Sequence, residues 1–93
     1  MILKEQLAMV SGKVKIGAVN GSGFFYAGKA EKAVKMFNDQ GYGELLDRRV
    51  AETYGSMIGE GTILLVEGKE RGGYWSIEES DGTVLIAGII GID

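Results

Sequence analysis

The sequence predicts an α+β fold in one domain spanning residues 1–93: a curled antiparallel sheet or small barrel of five to six strands with one or two covering helices. Three observations carry that expectation. Short runs alternate between apolar and polar residues, glycine-rich turns separate them, and two segments switch to helical spacing instead. With 93 residues, 45% of them hydrophobic, the chain can bury one modest core and has no room for a second domain.

Leu3, Leu7 and Val10 follow one another at spacings of four and three, so Ile2 to Val10 reads as a short amphipathic helix that Ser11 and Gly12 end. Lys13 to Val19 then alternates, with Val14, Ile16 and Ala18 on one face and Lys13, Lys15 and Gly17 on the other. The cluster Asn20 to Gly23 turns the chain, and Phe24 to Ala27 returns as an aromatic strand, closing a first hairpin over Lys13 to Gly28. Ala30, Ala33, Val34 and Phe37 recur at i, i+3, i+4 and i+7, which predicts a helix; Glu31 stands four residues ahead of Lys35 as an ion pair. Gly41 and Gly43 stop it.

Glu44 to Asp47 reads as a helical turn or loop. The next stretch is two-sided: Leu46, Val50 and Tyr54 recur every four residues as in a helix, but the β-branched and aromatic content favours a strand over Arg49 to Ile58. Thr62 to Val66 is a continuous apolar run bounded by glycines, and reads as a central strand. A last hairpin joins Tyr74 to Glu79 with Thr83 to Ile90 through Asp81-Gly82, a pair suited to a two-residue type I′ turn. Counting back from that turn sets Glu79 against Val84, Ile77 against Ile86, and Trp75 against Gly88, where the indole would cover a bare glycine. Sixteen glycines and no proline favour a sheet that bends.

Composition narrows the chemistry. The chain has no Cys and no His, which removes disulfides, thiolate and imidazole nucleophiles, and the usual zinc, copper and iron ligands. The expectation is a protein that is not an enzyme and carries no catalytic residue, metal or cofactor. Lys4 and Glu5 interrupt any signal-peptide core, and the longest apolar stretch, Val84 to Ile92, is about half the length of a membrane span. A cytoplasmic protein without membrane contact is expected.

Two motif-like stretches lose their chemical reading on inspection. Gly23 to Ala30 comes within one residue of the phosphate-binding loop pattern, but Ala30 stands where the magnesium-binding hydroxyl belongs and bulky residues fill the loop. Glu78, Glu79 and Asp81, with Glu67 and Glu70, offer carboxylates without calcium-loop spacing, and read as solvated charges.

Charge is distributed unevenly. Residues 1–50 hold eight Lys and Arg against five Asp and Glu, whereas residues 51–93 hold two against eight, for a net charge of −3. Lys13, Lys15, Lys29, Lys32, Arg48 and Arg49 therefore form the candidate surface for an anionic partner. With Phe24, Phe25 and Tyr26 between them, they suggest the phosphate-plus-stacking chemistry of small β modules that hold single-stranded nucleic acid. Leu85, Ile86, Ile89 and Ile90, in an apolar run without charge, are the candidate self-association strand if that strand lies at a sheet edge.

The segments Leu3-Lys4-Glu5-Gln6-Leu7, Gly12-Lys13-Val14-Lys15-Ile16, Tyr26-Ala27-Gly28-Lys29-Ala30-Glu31 and Leu45-Leu46-Asp47-Arg48-Arg49-Val50 resemble small uncharacterised proteins of phages and prophages of Gram-positive bacteria. The resemblance implies a leading helix, a hairpin, a second helix and a second hairpin, and brings no catalytic residues with it. The function expected is a non-catalytic protein-interaction module, phage-derived and self-associating. A nucleic-acid-binding small β-barrel module using the basic half, and a counter-defence protein sequestering a small anionic ligand, are the alternatives.

Overall fold

The computed structural model describes the backbone of residues 1–21, 23–55, 61–71, 74–78, 80–88 and 91–92, and the side chains of these except 70–71, 74–77, 86–88 and 91–92. In chain order the elements are α1 (Leu3–Met9), β1 (Lys13–Ala18), β2 (Phe24–Lys29), α2 (Ala30–Asp39), a 3₁₀ turn (Gly43–Asp47), β3 (Val50–Tyr54), β4 (Thr62–Val66), β5 (Glu70–Arg71), β6 (Tyr74–Glu78), β7 (Val84–Gly88) and β8 (Gly91–Ile92). The fold is α+β, as expected. The two-sided stretch after Asp47 resolves to a strand over Val50–Tyr54; residues 56–58 of its expected extension lie outside the described residues.

Six strands form one sheet in the order β3, β4, β1, β2, β7, β6, and β5 pairs with β8 in a separate ribbon. The expected barrel is not found. The sheet is open, with β3 and β6 at its two ends among the described residues. Nor is it wholly antiparallel, because β1 and β4 run parallel with Val14 level with Thr62 and Ala18 level with Val66. Such a pair carries no local turn to announce it, since β2, α2 and β3 intervene before β4 comes alongside β1.

Helices α1 and α2 and the 3₁₀ turn cover one face. Val14, Ile16, Leu64, Val66 and Leu85 point into this layer and meet Leu3, Leu7, Ala30, Ala33, Phe37, Leu45 and Leu46. Helix α2 buries Ala30, Ala33 and Phe37 of the stripe its spacing predicts, adds Met36 and leaves Val34 partly buried, and Phe37 packs edge-on to Tyr26 at 5.5 Å and tilted against Phe25 at 6.0 Å between ring centroids. Lys35 pairs one helical turn further along, bonding Asp39 at 2.5 Å.

A bulge explains how Phe25 and Tyr26, consecutive in a strand, are both buried. The β1–β2 register runs from Lys13↔Lys29 through Ile16↔Tyr26 and then jumps to Gly17↔Phe24, leaving Phe25 as an extra residue. Phe24 is thereby turned to the opposite face. The expected register of Trp75 against Gly88 is not found, because the last hairpin pairs Glu78 with Val84, Trp75 with Ala87 and Tyr74 with Gly88. That register centres the turn on Asp81, so the number of residues between the paired positions is odd rather than even, and Gly82 takes a left-handed φ of +87°. An aromatic cover over a strand glycine does occur, at Gly17: a Cβ there would stand 3.3 Å from the Phe24 ring.

Candidate functional site

The second face of the sheet bears the candidate site. Residues paired across neighbouring strands share a face, so the register places two rows here. One row runs Tyr54, Ile63, Lys15, Ala27, Val84 and Glu78; the other runs Glu52, Leu65, Gly17 and Phe24. Lys13 and Lys29 stand opposite each other at the start of β1. The face is thus lysine-rich at the centre, acidic at both outer strands, and apolar towards the β3 end.

A shallow groove lies where β1 ends, lined by Ala18, Val19, Phe24, Tyr54, Ile63 and Leu65, with Gly21 and Gly23 at its rim. Phe24 and Tyr54 are 36% and 51% exposed, and they rank among the few large apolar side chains that meet solvent among the described residues. Lys15 holds its ammonium 5.5 Å from the centre of the Phe24 ring, an attraction worth about 0.5–1 kcal/mol at an exposed site. Gly17 lets the ring lie that low, since a Cβ there would also meet the carbonyl oxygen of Gly23 at 2.7 Å.

A second hollow, of about 180 Å³, opens at the other end of β1. Lys13, Lys15 and Lys29 surround it, Ala27, Gly28 and Gly82 supply a floor of small residues, and Asp81 and Thr83 close one side. The Asp81 carboxylate is already engaged. It accepts a hydrogen bond from the Lys32 ammonium at 2.6 Å and another from the Thr83 N–H at 3.0 Å, and these hold its pKa well below the usual carboxylate range. On the helix side, Tyr26 donates its hydroxyl to the Lys29 carbonyl at 2.6 Å, and burial, followed by the Asp81 charge, raises its pKa from 10.0 to about 12.

The six basic residues expected to form one anionic-partner surface separate into three groups. Lys13, Lys15 and Lys29 come together on the open face, whereas Lys32 reaches from α2 to Asp81. Arg48 and Arg49 sit beyond the far end of β1: Arg49 pairs with the Glu67 carboxylate at 3.0 Å and Arg48 donates to the Glu67 carbonyl at 3.2 Å. Since β1 has six residues, that end lies roughly 17 Å along the strand from Lys13. A surface of all six is therefore corrected to a cluster of three.

The self-association strand is corrected as well. Strand β7 lies between β2 and β6 and pairs with both, and Leu85 is completely buried in the core, so neither is a docking edge. Ile86 sits in β7 opposite Ser76, while Ile89 and Ile90 lie outside the described residues. Among the described residues no group of three carboxylates is placed to hold a cation, because Asp81 and Glu67 stand at opposite ends of the sheet with basic partners of their own. No helix among them is long and apolar enough to cross a membrane.

The groove residues Tyr54, Ile63 and Leu65 escape sequence reasoning, since an outward-facing Ile in an apolar run looks like core until the pairing of β4 is known. No protein-family model, curated protein or solved structure matches the chain.

Proposed function

We propose that the chain is a non-catalytic interaction module that seats a segment of a partner protein on the open face of its sheet. The observation that carries this reading is the groove between Phe24 and Tyr54, whose apolar floor of Ile63 and Leu65 lies beside Lys15. An apolar side chain in the groove with a carboxylate near Lys15 suits this arrangement, so the partner segment is acidic and hydrophobic. A second copy stacked face to face suits it less well, because a two-fold axis through the centre of the sheet would set lysines against lysines. A phage origin rests on the sequence resemblance.

Affinity capture with the whole chain and with Tyr54→Asp tests the reading, followed by light scattering of the reconstituted pair. A partner held by the unchanged chain and released by the variant is the expected result. A partner held equally by both, or assembly of the chain with itself through this face, overturns it.

One observation favours a second reading, single-stranded nucleic acid. The Lys15–Phe24 contact sets a cation against a ring beside two further lysines, the combination that neutralises phosphates while a base stacks. Oligonucleotide affinity falling steeply with salt, with a shallower slope in Lys15→Ala, would carry that reading over the first.

A further inference from the structure

We propose that the hollow among Lys13, Lys15 and Lys29 is a binding site for a phosphate-type oxyanion on a small molecule, separate from the groove at the other end of β1. Lys13 and Lys29 are direct cross-strand partners, an arrangement in which like charges destabilise a sheet. Lys15, two residues along the same face, adds a third positive charge within about 8 Å of Lys29 between Cβ atoms. The folded chain therefore gathers cationic side chains at this point, which a bound dianion would complement.

The surroundings give the anion a place to sit. Ala27 lies across from Lys15, and the register Tyr26↔Leu85, Ala27↔Val84, carried two residues further, sets Gly82 beside Lys29. With no bulk on these residues the three lysines border a concavity of about 180 Å³ rather than a flat surface. Among the described residues Asp81 is the only acid lining it, and Lys32 and the Thr83 N–H already occupy both of its oxygens. Among the described residues neither Lys15 nor Lys29 is paired with a carboxylate. The lysines present point charges instead of the fixed fork of an arginine, so the site selects for charge density and size. Phosphate and pyrophosphate groups fit, free or as the terminal group of a nucleotide.

The test is calorimetric titration of the whole chain with inorganic phosphate, pyrophosphate and a mononucleotide at constant ionic strength, with thermal unfolding measured in parallel. Saturable binding is expected, tighter for pyrophosphate than for phosphate, and weakened about fivefold or more by Lys15→Ala and by Lys29→Ala. Lys15→Arg should retain binding, and Lys35→Ala, which removes a cation on α2, should leave it unchanged. Without ligand, Lys29→Ala should melt no lower than the parent chain, while its stabilisation by pyrophosphate shrinks. The mononucleotide separates the two sources: affinity above that of pyrophosphate assigns a nucleotide, equal affinity the free anion. Absence of saturable binding, or equal weakening by Lys35→Ala, overturns the site.

Discussion

The side chain of Thr83 fills the space that a Cβ on Gly28 would need, with Cγ2 and Oγ1 at 2.6 and 2.8 Å from that position. Thr83 is itself buried and its N–H is committed to Asp81, so it cannot swing away. This contact locks the turn of the last hairpin onto the first. Gly28→Ala should therefore destabilise the fold by about 1–3 kcal/mol, as overpacking does. Thr83→Ala should relieve part of that cost, giving a coupling of at least about 0.5 kcal/mol in a double-mutant cycle by denaturant unfolding. Strict additivity would refute the contact.

Gly17→Ala tests the other close approach. The new methyl would meet a backbone oxygen, which yields less readily than a side chain, so a loss of about 1–3 kcal/mol is expected. The ring of Phe24 would also be lifted from the sheet. Partner binding at the groove should weaken by more than the stability loss accounts for, measured at a temperature where both proteins are folded.

The Lys32–Asp81 pair makes stability depend on acid in a defined direction. A carboxyl group whose pKa is depressed on folding contributes stability above its unfolded pKa of about 3.9, and that contribution is lost as pH falls through the folded value. Acid unfolding of Asp81→Asn should accordingly be less steep below about pH 4 than that of the parent chain. Identical slopes would show the pair to be without consequence.

Tyr26 behaves in the opposite sense. Its raised pKa means that the folded state keeps its proton while the unfolded state loses it, so stability is full below pH 10 and falls as pH rises towards 12. Absorbance titration should show Tyr26 ionising late, at about pH 12, as a step that Tyr26→Phe removes. Asp81→Asn should bring that ionisation down, because it removes the negative charge that adds to burial.

Arg49→Ala should change little. Its pair with Glu67 lies between side chains 70% and 51% exposed, where such contacts contribute less than about 1 kcal/mol. Anion binding should be unaffected too, since the guanidinium is remote from Lys13. A measurable loss of phosphate affinity in this variant would restore the larger basic surface that the sequence suggests.

Much of the architecture is legible in the residues because it is local. Alternation over Lys13 to Ala18, the Ala30, Ala33, Phe37 stripe and the Thr62 to Val66 run each define an element from neighbours in the chain. What escapes is set by pairing. The bulge at Phe25 and the odd-numbered loop around Asp81 each move a register by one residue, enough to exchange which side chains face the core. The short ribbon of β5 with β8 has too few residues for a periodic signal. The candidate site follows the same division: Lys13, Lys15 and Lys29 are readable from strand alternation, whereas the remoteness of Arg48 and Arg49 and the outward turn of Ile63 and Leu65 depend on where β4 inserts.

The parallel contact between β1 and β4 also governs the order of events in synthesis. Residue 14 waits for residue 62, and until the segment carrying Leu64 and Val66 has emerged the inner flank of the first hairpin has no lid on that side. An emerging polypeptide truncated before Thr62 would present Ile16 and its neighbours to chaperones, and should partition to aggregates where the same polypeptide extended past Val66 does not.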